Sequence, residues 1–102
     1  VVPPCASCGG VLKPDVVFFG DSVPRDTVNE IFAAIDAAGA LLVIGSSLMV
    51  YSGFRFCRHA HQASYPLACI NPGATRADEL FTLKSEADCA RELLGLVRAL
   101  VD

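Results

Sequence analysis

Apolar positions along the chain fall into two rhythms. Uninterrupted runs, DVVFF at 15–19, ALLVI at 40–44 and PLACI at 66–70, read as short strands buried on both faces. Each run ends at a residue suited to a turn: Gly20, Gly45 and Asn71. Between the first two runs the spacing becomes helical, since Val28, Ile31, Phe32 and Ile35 recur at i, i+3, i+4 and i+7. Pro24 suits the first turn of that helix and Gly39 the position just past its end. A second helix is predicted over 54–63, bearing Arg55, Arg58 and both histidines. The LFTL segment at 80–83 is a candidate fourth strand. A closing helix is predicted over 87–101, with Leu93, Leu94, Val97, Leu100 and Val101 as its apolar face. The opening VVPPCASCGG follows neither rhythm and reads as a loop or ribbon.

Strands alternating with helices predict an α/β fold built on a parallel sheet with right-handed crossovers. Ligands of such sheets bind beyond the carboxyl ends of the strands. Gly20, Gly45 and Asn71 are therefore the places to look for chemistry.

Composition narrows the picture. With 102 residues, 53% of them hydrophobic and 19% charged, the chain fits one small globular domain rather than a disordered segment. A formal net charge of -3 and the lack of a basic run remove the usual electrostatic source of nucleic-acid binding. The longest strictly apolar stretch, AGALLVIG, is far short of the ~20 residues that span a bilayer, so no membrane partner is expected. Five cysteines with only one close pair argue against a secreted disulfide framework and for a reducing compartment. Opening on Val1, without a methionine, suggests a fragment or a processed piece.

Cys5 and Cys8 form C-x-x-C, a spacing that lets two thiolates on a tight turn reach one tetrahedral zinc. A redox pair would need a helix after the first cysteine, and Gly-Gly followed by a proline does not supply one. Half of a zinc site is the better reading, with its other ligands outside the chain. Cys57, Cys69 and Cys89 lie far apart and read as small buried hydrophobes. His59 and His61, two residues apart on a helix, point to different faces and read as surface or packing residues. Gly45-Ser46-Ser47-Leu48-Met49 overlaps the nucleophile elbow G-x-S-x-G, but Met49 replaces the last glycine and both histidines precede Asp78. A cradle for an anionic or sugar-bearing ligand and a plain turn then remain, since Gly45 lets the backbone approach while Ser46 and Ser47 can donate.

Taken in order, C-x-x-C, LKPDVVFFGD, LLVIGSSLMVYSGFRF, INPGATRADEL and a late ADC resemble the carboxyl-terminal half of a sirtuin. GSSLMVYSGFRF in particular resembles the class II branch, with its mitochondrial members and bacterial relatives. The resemblance spans essentially the whole chain and implies a partial Rossmann-like parallel sheet with flanking helices, at 15–102, after the second half of a small zinc ribbon at 1–14. The implied function is NAD-dependent protein-lysine deacylation, releasing nicotinamide and acyl-ADP-ribose. By position, Cys5 and Cys8 match the second cysteine pair of a structural zinc site, of which only this half is present. Val17, Phe18, Phe19 and Gly20 match the stretch beside which an acylated peptide lies as an added strand. Gly45, Ser46 and Ser47 match the segment that contacts NAD. Asn71, Pro72 and Gly73 match the one that holds the adenosine ribose, and Cys89 matches a late position whose backbone meets the adenine.

The family's glycine-rich loop, its Gln-x-x-Asn segment and the His-Gly pair of its catalytic histidine do not occur in these residues. No catalytic residue is assigned, and the isolated chain is expected to be inactive. Asp21 stands where glutamate is common. A cytoplasmic bacterial-type location is implied, with the mitochondrial matrix as the alternative. A second function, from another class, is a nucleotide-binding or regulatory module without chemistry of its own.

Overall fold

The structure is a computed structural model that describes residues 2–18 and 20–101. Its elements run α1 (Arg25–Ala38), β1 (Leu41–Ile44), α2 (Tyr51–Gln62), β2 (Leu67–Ile70), a 3-10 turn (Asp78–Leu80), β3 (Leu83–Ser85) and α3 (Cys89–Val101). The three strands form one parallel sheet in the order β1-β2-β3, with Leu41 opposite Leu67 and Ala68 opposite Leu83. This is the parallel α/β sheet with flanking helices that the apolar rhythm predicts.

α1 starts one residue after Pro24 and stops where Gly39 adopts φ 71°, its N–H donating to the Ile35 carbonyl at 2.8 Å. An L side chain resists that left-handed conformation, which is why glycine is suited to it. Val28 and Ile35 of the expected face are buried, and Phe32 packs edge-on against Phe56 of α2. The core lies between these two helices and one face of the sheet: Ile35, Leu48, Cys57, Ala60, Leu67 and Ala77, with Leu41, Val43 and Phe54 against them.

Four expectations need correction. Residues 15–18 form no strand, and Val16, Val17 and Phe18 are exposed; Phe19 lies outside the described residues. An apolar run becomes a strand only when a neighbour takes up its N–H and C=O groups, and among the described residues the run's one backbone bond is a local turn, Asp21 N–H donating to the Phe18 carbonyl at 3.0 Å. Gly20 therefore ends no strand. Second, α2 begins at Tyr51, three residues early, because Gly53 and Phe54 already donate to the Val50 carbonyl. Third, the strand expected at LFTL is shifted along the chain: Leu80 and Phe81 pack against the core, Thr82 N–H donates to the Leu67 carbonyl at 2.9 Å, and the ladder runs over Leu83–Ser85. Fourth, no residue of α3 is buried, and Leu94, Val97, Leu100 and Val101 are exposed. Helical periodicity shows which side is apolar, not that anything covers it.

Candidate functional site

The sheet's carboxyl edge brings together the three segments singled out in sequence. β1 ends at Gly45, whose N–H donates to the Ile70 carbonyl at 2.9 Å, and Cys89 Sγ donates to that same oxygen at 3.2 Å. A Cβ on Gly45 would lie 3.8 Å from Cys89 Sγ, and its φ is 65°, so a side chain there meets backbone strain rather than a steric wall. Gly45, Asn71 and Cys89 thus form one crest around the last carbonyl of β2. Cys89 is half-buried, in contrast to Cys57 and Cys69, which are fully buried as expected.

The loop after β1 is shaped by a local turn. Leu48 N–H donates to Ser46 Oγ at 3.2 Å, and Leu48 adopts φ 59° while its side chain enters the core. A non-glycine residue in that region costs roughly 1–2 kcal/mol, which burial of the leucine offsets. Ser46 keeps its hydroxyl proton for another acceptor, and Ser47 is exposed.

The loop after β2 is tied down more firmly. Asn71 N–H donates to the Ser85 carbonyl at 2.9 Å, and its Nδ2 donates to the Gly73 carbonyl at 3.0 Å. Lys84 Nζ donates to that same Gly73 carbonyl at 2.9 Å and pairs with Asp78 at 3.0 Å. Thr75 Oγ1 donates to Asp78 at 2.6 Å, and this bond, with Lys84 beside it, holds the Asp78 carboxyl below the usual aspartate value. Asp78 in turn pushes the Lys84 ammonium up. Pro72 and Gly73 are left exposed at the tip.

Two residues that sequence reasoning passed over connect the loops. Arg76 N–H donates to the Ser47 carbonyl at 2.9 Å, its guanidinium reaches the Met49 carbonyl at 3.3 Å, and its Cζ lies 4.5 Å from the Phe54 ring centroid. Leu48 anchors the same loop from below. An arginine in a loop and a leucine after two serines carry no pattern that marks them.

Away from the crest, a groove of about 570 Å³ is lined by Val16, Val17, Phe18 and Gly20 on one side and Val50, Tyr51 and Ser52 on the other. The exposed apolar run at 16–18 is one wall of it. Farther off, Pro4 and Val11 form an antiparallel bridge around the C-x-x-C turn, with Gly9 N–H donating to the Cys5 carbonyl and Cys5 N–H to the Gly10 carbonyl, both at 2.9 Å. Backbone N–H groups of Cys8 and Ser7 aimed at the Cys5 sulfur hold its thiol below the usual range, the arrangement a thiolate ligand requires. Two donors fit half of a tetrahedral site, and no group of three or more metal-ligating residues occurs among the described residues.

Comparison with known proteins bears on the whole chain. The model of the Sir2 family matches residues 1–52. The chain is 61% identical over 96 residues to an NAD-dependent protein deacetylase of Xanthomonas campestris pv. campestris, a match covering 94% of this chain and 33% of that protein. It is 53% identical over 97 residues to an NAD-dependent protein deacetylase of Bordetella pertussis, covering 95% and 35%. The chain spans about a third of the length of these curated relatives. Among solved structures, Sir2Tm bound to a propionylated peptide and a Sir2 complex with p53 peptide and NAD+ each superpose with a TM-score of 0.81 at 30% identity, covering 96% of this chain and 41% of theirs.

Proposed function

The chain belongs to the Sir2 family, and we propose that the protein it comes from is an NAD-dependent protein-lysine deacylase. In this reading these residues hold about half of the NAD site, one wall of the acyl-peptide groove and half of a structural zinc site. The observation that carries the reading is the crest, where Gly45, Asn71 and Cys89 meet around one carbonyl oxygen at the carboxyl edge of a parallel sheet. That edge is where a dinucleotide lies on such sheets.

Each part has a role. Gly45 lets the backbone of the first loop approach a phosphate, and Ser46 and Ser47 supply hydroxyl donors. Asn71 spends Nδ2 on its own turn, which leaves its carbonyl oxygen as an acceptor for ribose hydroxyls, beside the exposed backbone of Pro72 and Gly73. Cys89, held to the sheet by its sulfur, sets the start of α3 against the adenine end. The groove along residues 16–20 accepts an extended peptide through main-chain hydrogen bonds, in keeping with residues 15–18 having no strand partner among the described residues. NAD is a co-substrate: the acyl oxygen attacks its ribose carbon, the bond to nicotinamide breaks, and lysine and acyl-ADP-ribose follow with water. Cys5 and Cys8 would complete a four-cysteine zinc site with a cysteine pair elsewhere in the protein.

The test is nicotinamide release by the full-length protein from an acetyl-lysine peptide. Release that requires both NAD and the acylated peptide is expected, and release from neither alone. The isolated 102 residues are expected to release none, because neither His59-Ala60 nor His61-Gln62 matches the His-Gly pair that carries the family's base. A full-length protein that binds NAD but turns over no acyl-lysine peptide would support the non-catalytic nucleotide-binding module instead.

A further inference from the structure

A cavity of about 400 Å³ opens between the N-terminal half of α1 and the outer stripe of α2. Its lining includes Arg25, Arg55, Arg58 and His59 and no carboxylate. α2 builds the stripe by its own periodicity, since Tyr51, Arg55, Arg58 and Gln62 are spaced to share one helix face. From α1 come Arg25, Val28, Asn29 and Phe32, while its acidic neighbours Asp26 and Glu30 are not in the lining.

This gathering runs against the chain's overall charge. The net charge is -3, yet three of the eight lysines and arginines meet at this one cavity. Among the described residues, none of the three arginines has a carboxylate within ion-pair distance. Their partners are neutral: Arg55 Nε donates to the Ser52 carbonyl at 3.0 Å, and Arg58 Nη1 donates to the Tyr51 hydroxyl at 3.5 Å. Asp36 of α1 is already taken by His59 Nε2 at 2.8 Å and by the Tyr65 hydroxyl at 3.1 Å. Arginines that line one cavity with no carboxylate in its lining form a receptor for an anion, and their planar forks suit carboxylate in particular.

The cavity adjoins the peptide groove, because Val23, Tyr51 and Arg55 line both; the groove's own carboxylate, Asp21, lies in the lining of the groove and not in that of the cavity. We infer that it is a subsite for acidic side chains of the acylated substrate, so that the enzyme prefers acyl-lysines flanked by aspartate or glutamate. This rests on reading the groove along residues 16–23 as the peptide site. An extended peptide rises about 3.3 Å per residue, so an acidic residue within about four positions of the acyl-lysine can reach an adjoining cavity.

The test compares matched acetyl-lysine peptides on the full-length protein, with glutamate, glutamine or lysine at each flanking position in turn. Both direct peptide binding and NAD-dependent turnover are measured. At the responsive position the glutamate peptide is expected to exceed the glutamine peptide about fivefold to tenfold in kcat/KM, through KM, as for a charge-assisted contact, and the lysine peptide to fall below both. Raising the salt should shrink the ratio. In Arg25→Gln/Arg58→Gln the ratio should fall towards one, and Arg58→Glu should reverse it in favour of lysine. Turnover of all peptides with no acidic preference at any position would overturn the subsite and leave the deacylase reading intact. Arginine-dependent binding of acidic peptides without turnover would support the subsite and overturn the deacylase reading. Failure of any peptide to bind would overturn both.

Discussion

On one face of the sheet, Leu41, Val43 and Leu67 meet α1 and α2, and the packing closes completely at Cys57 and Ala60. On the other face Leu42, Ala68 and Leu83 line an open cavity of about 560 Å³, to which α3 contributes Glu92 and Leu96. The two faces are equally apolar in sequence, yet Leu67 is 1% exposed and Leu83 is 70% exposed. A compact chain of this length has a radius of gyration of about 13 Å; this one has 17.4 Å. Stability is therefore concentrated in one layer, and the crest sits at its border. The crest is held by backbone hydrogen bonds and by the Asp78–Lys84 and Arg76 braces rather than by a second helical layer. That arrangement suits a site completed by residues elsewhere in the protein.

The contrast can be broken most forcefully by truncating one leucine on each face. Leu67→Ala should cost about 2–5 kcal/mol, as for a leucine buried in a closed core, read from urea unfolding. Leu83→Ala should cost less than about 0.5 kcal/mol in the isolated chain. Equal losses would erase the distinction. In the full-length protein, a Leu83→Ala cost rising towards that of Leu67→Ala would show that the open face is covered there.

Next in size is the crest. Gly45→Ala forces a Cβ into φ 65° and should cost about 1–2 kcal/mol in the same assay, with no steric contribution because the nearest side-chain atom is 3.8 Å away. A neutral substitution would show that the loop relaxes out of the left-handed region.

Thiol reactivity sharpens the comparison without mutation. Burial, with Cys69 nearby, pushes the Cys57 thiol up to about 11. At pH 8 its thiolate fraction is then on the order of a thousandth, before its inaccessibility is counted. Alkylation followed by peptide mapping should label exposed Cys8 early and Cys57 last. Comparable rates would mean that the closed face opens readily.

The smallest effect concerns pH. The folded Asp78 carboxyl titrates below its ordinary 3.8, so its contribution is present above that value and lost as pH falls through the lowered one. Lys84 is raised above 10.5, so its contribution is present below that and lost as pH climbs through the raised value. The clamp on the Asn71–Gly73 turn should therefore leave the urea midpoint flat from about pH 5 to 9. Asp78→Asn should remove its share of the acid-side slope, and an unchanged slope would show that the pair contributes nothing.

How far the sequence could be read follows from the same physics. β1, β2 and α1 were legible because an apolar run closed by glycine or asparagine, or an i, i+3, i+4 stripe, leaves few other structures that satisfy the backbone. The crest was legible through Gly45 and Asn71, which end those runs. The run at 15–18 misled because it has the composition of a buried strand, while hydrogen-bond partners are not written in composition. α3 misled in the same manner, its stripe being apolar but uncovered. Leu48 and Arg76 were invisible, since a strained φ and a loop arginine's contacts emerge only once the loops are placed side by side.

The central claim is that NAD lies across the crest formed by Gly45–Leu48, Asn71–Gly73 and the start of α3. Amide hydrogen exchange of the full-length protein, with and without NAD, tests it without perturbing a residue. NAD should slow exchange at 45–48, 71–73 and around Cys89, leaving α1 and residues 9–13 unchanged. Protection confined to other parts of the protein, with the crest exchanging as before, would contradict the account.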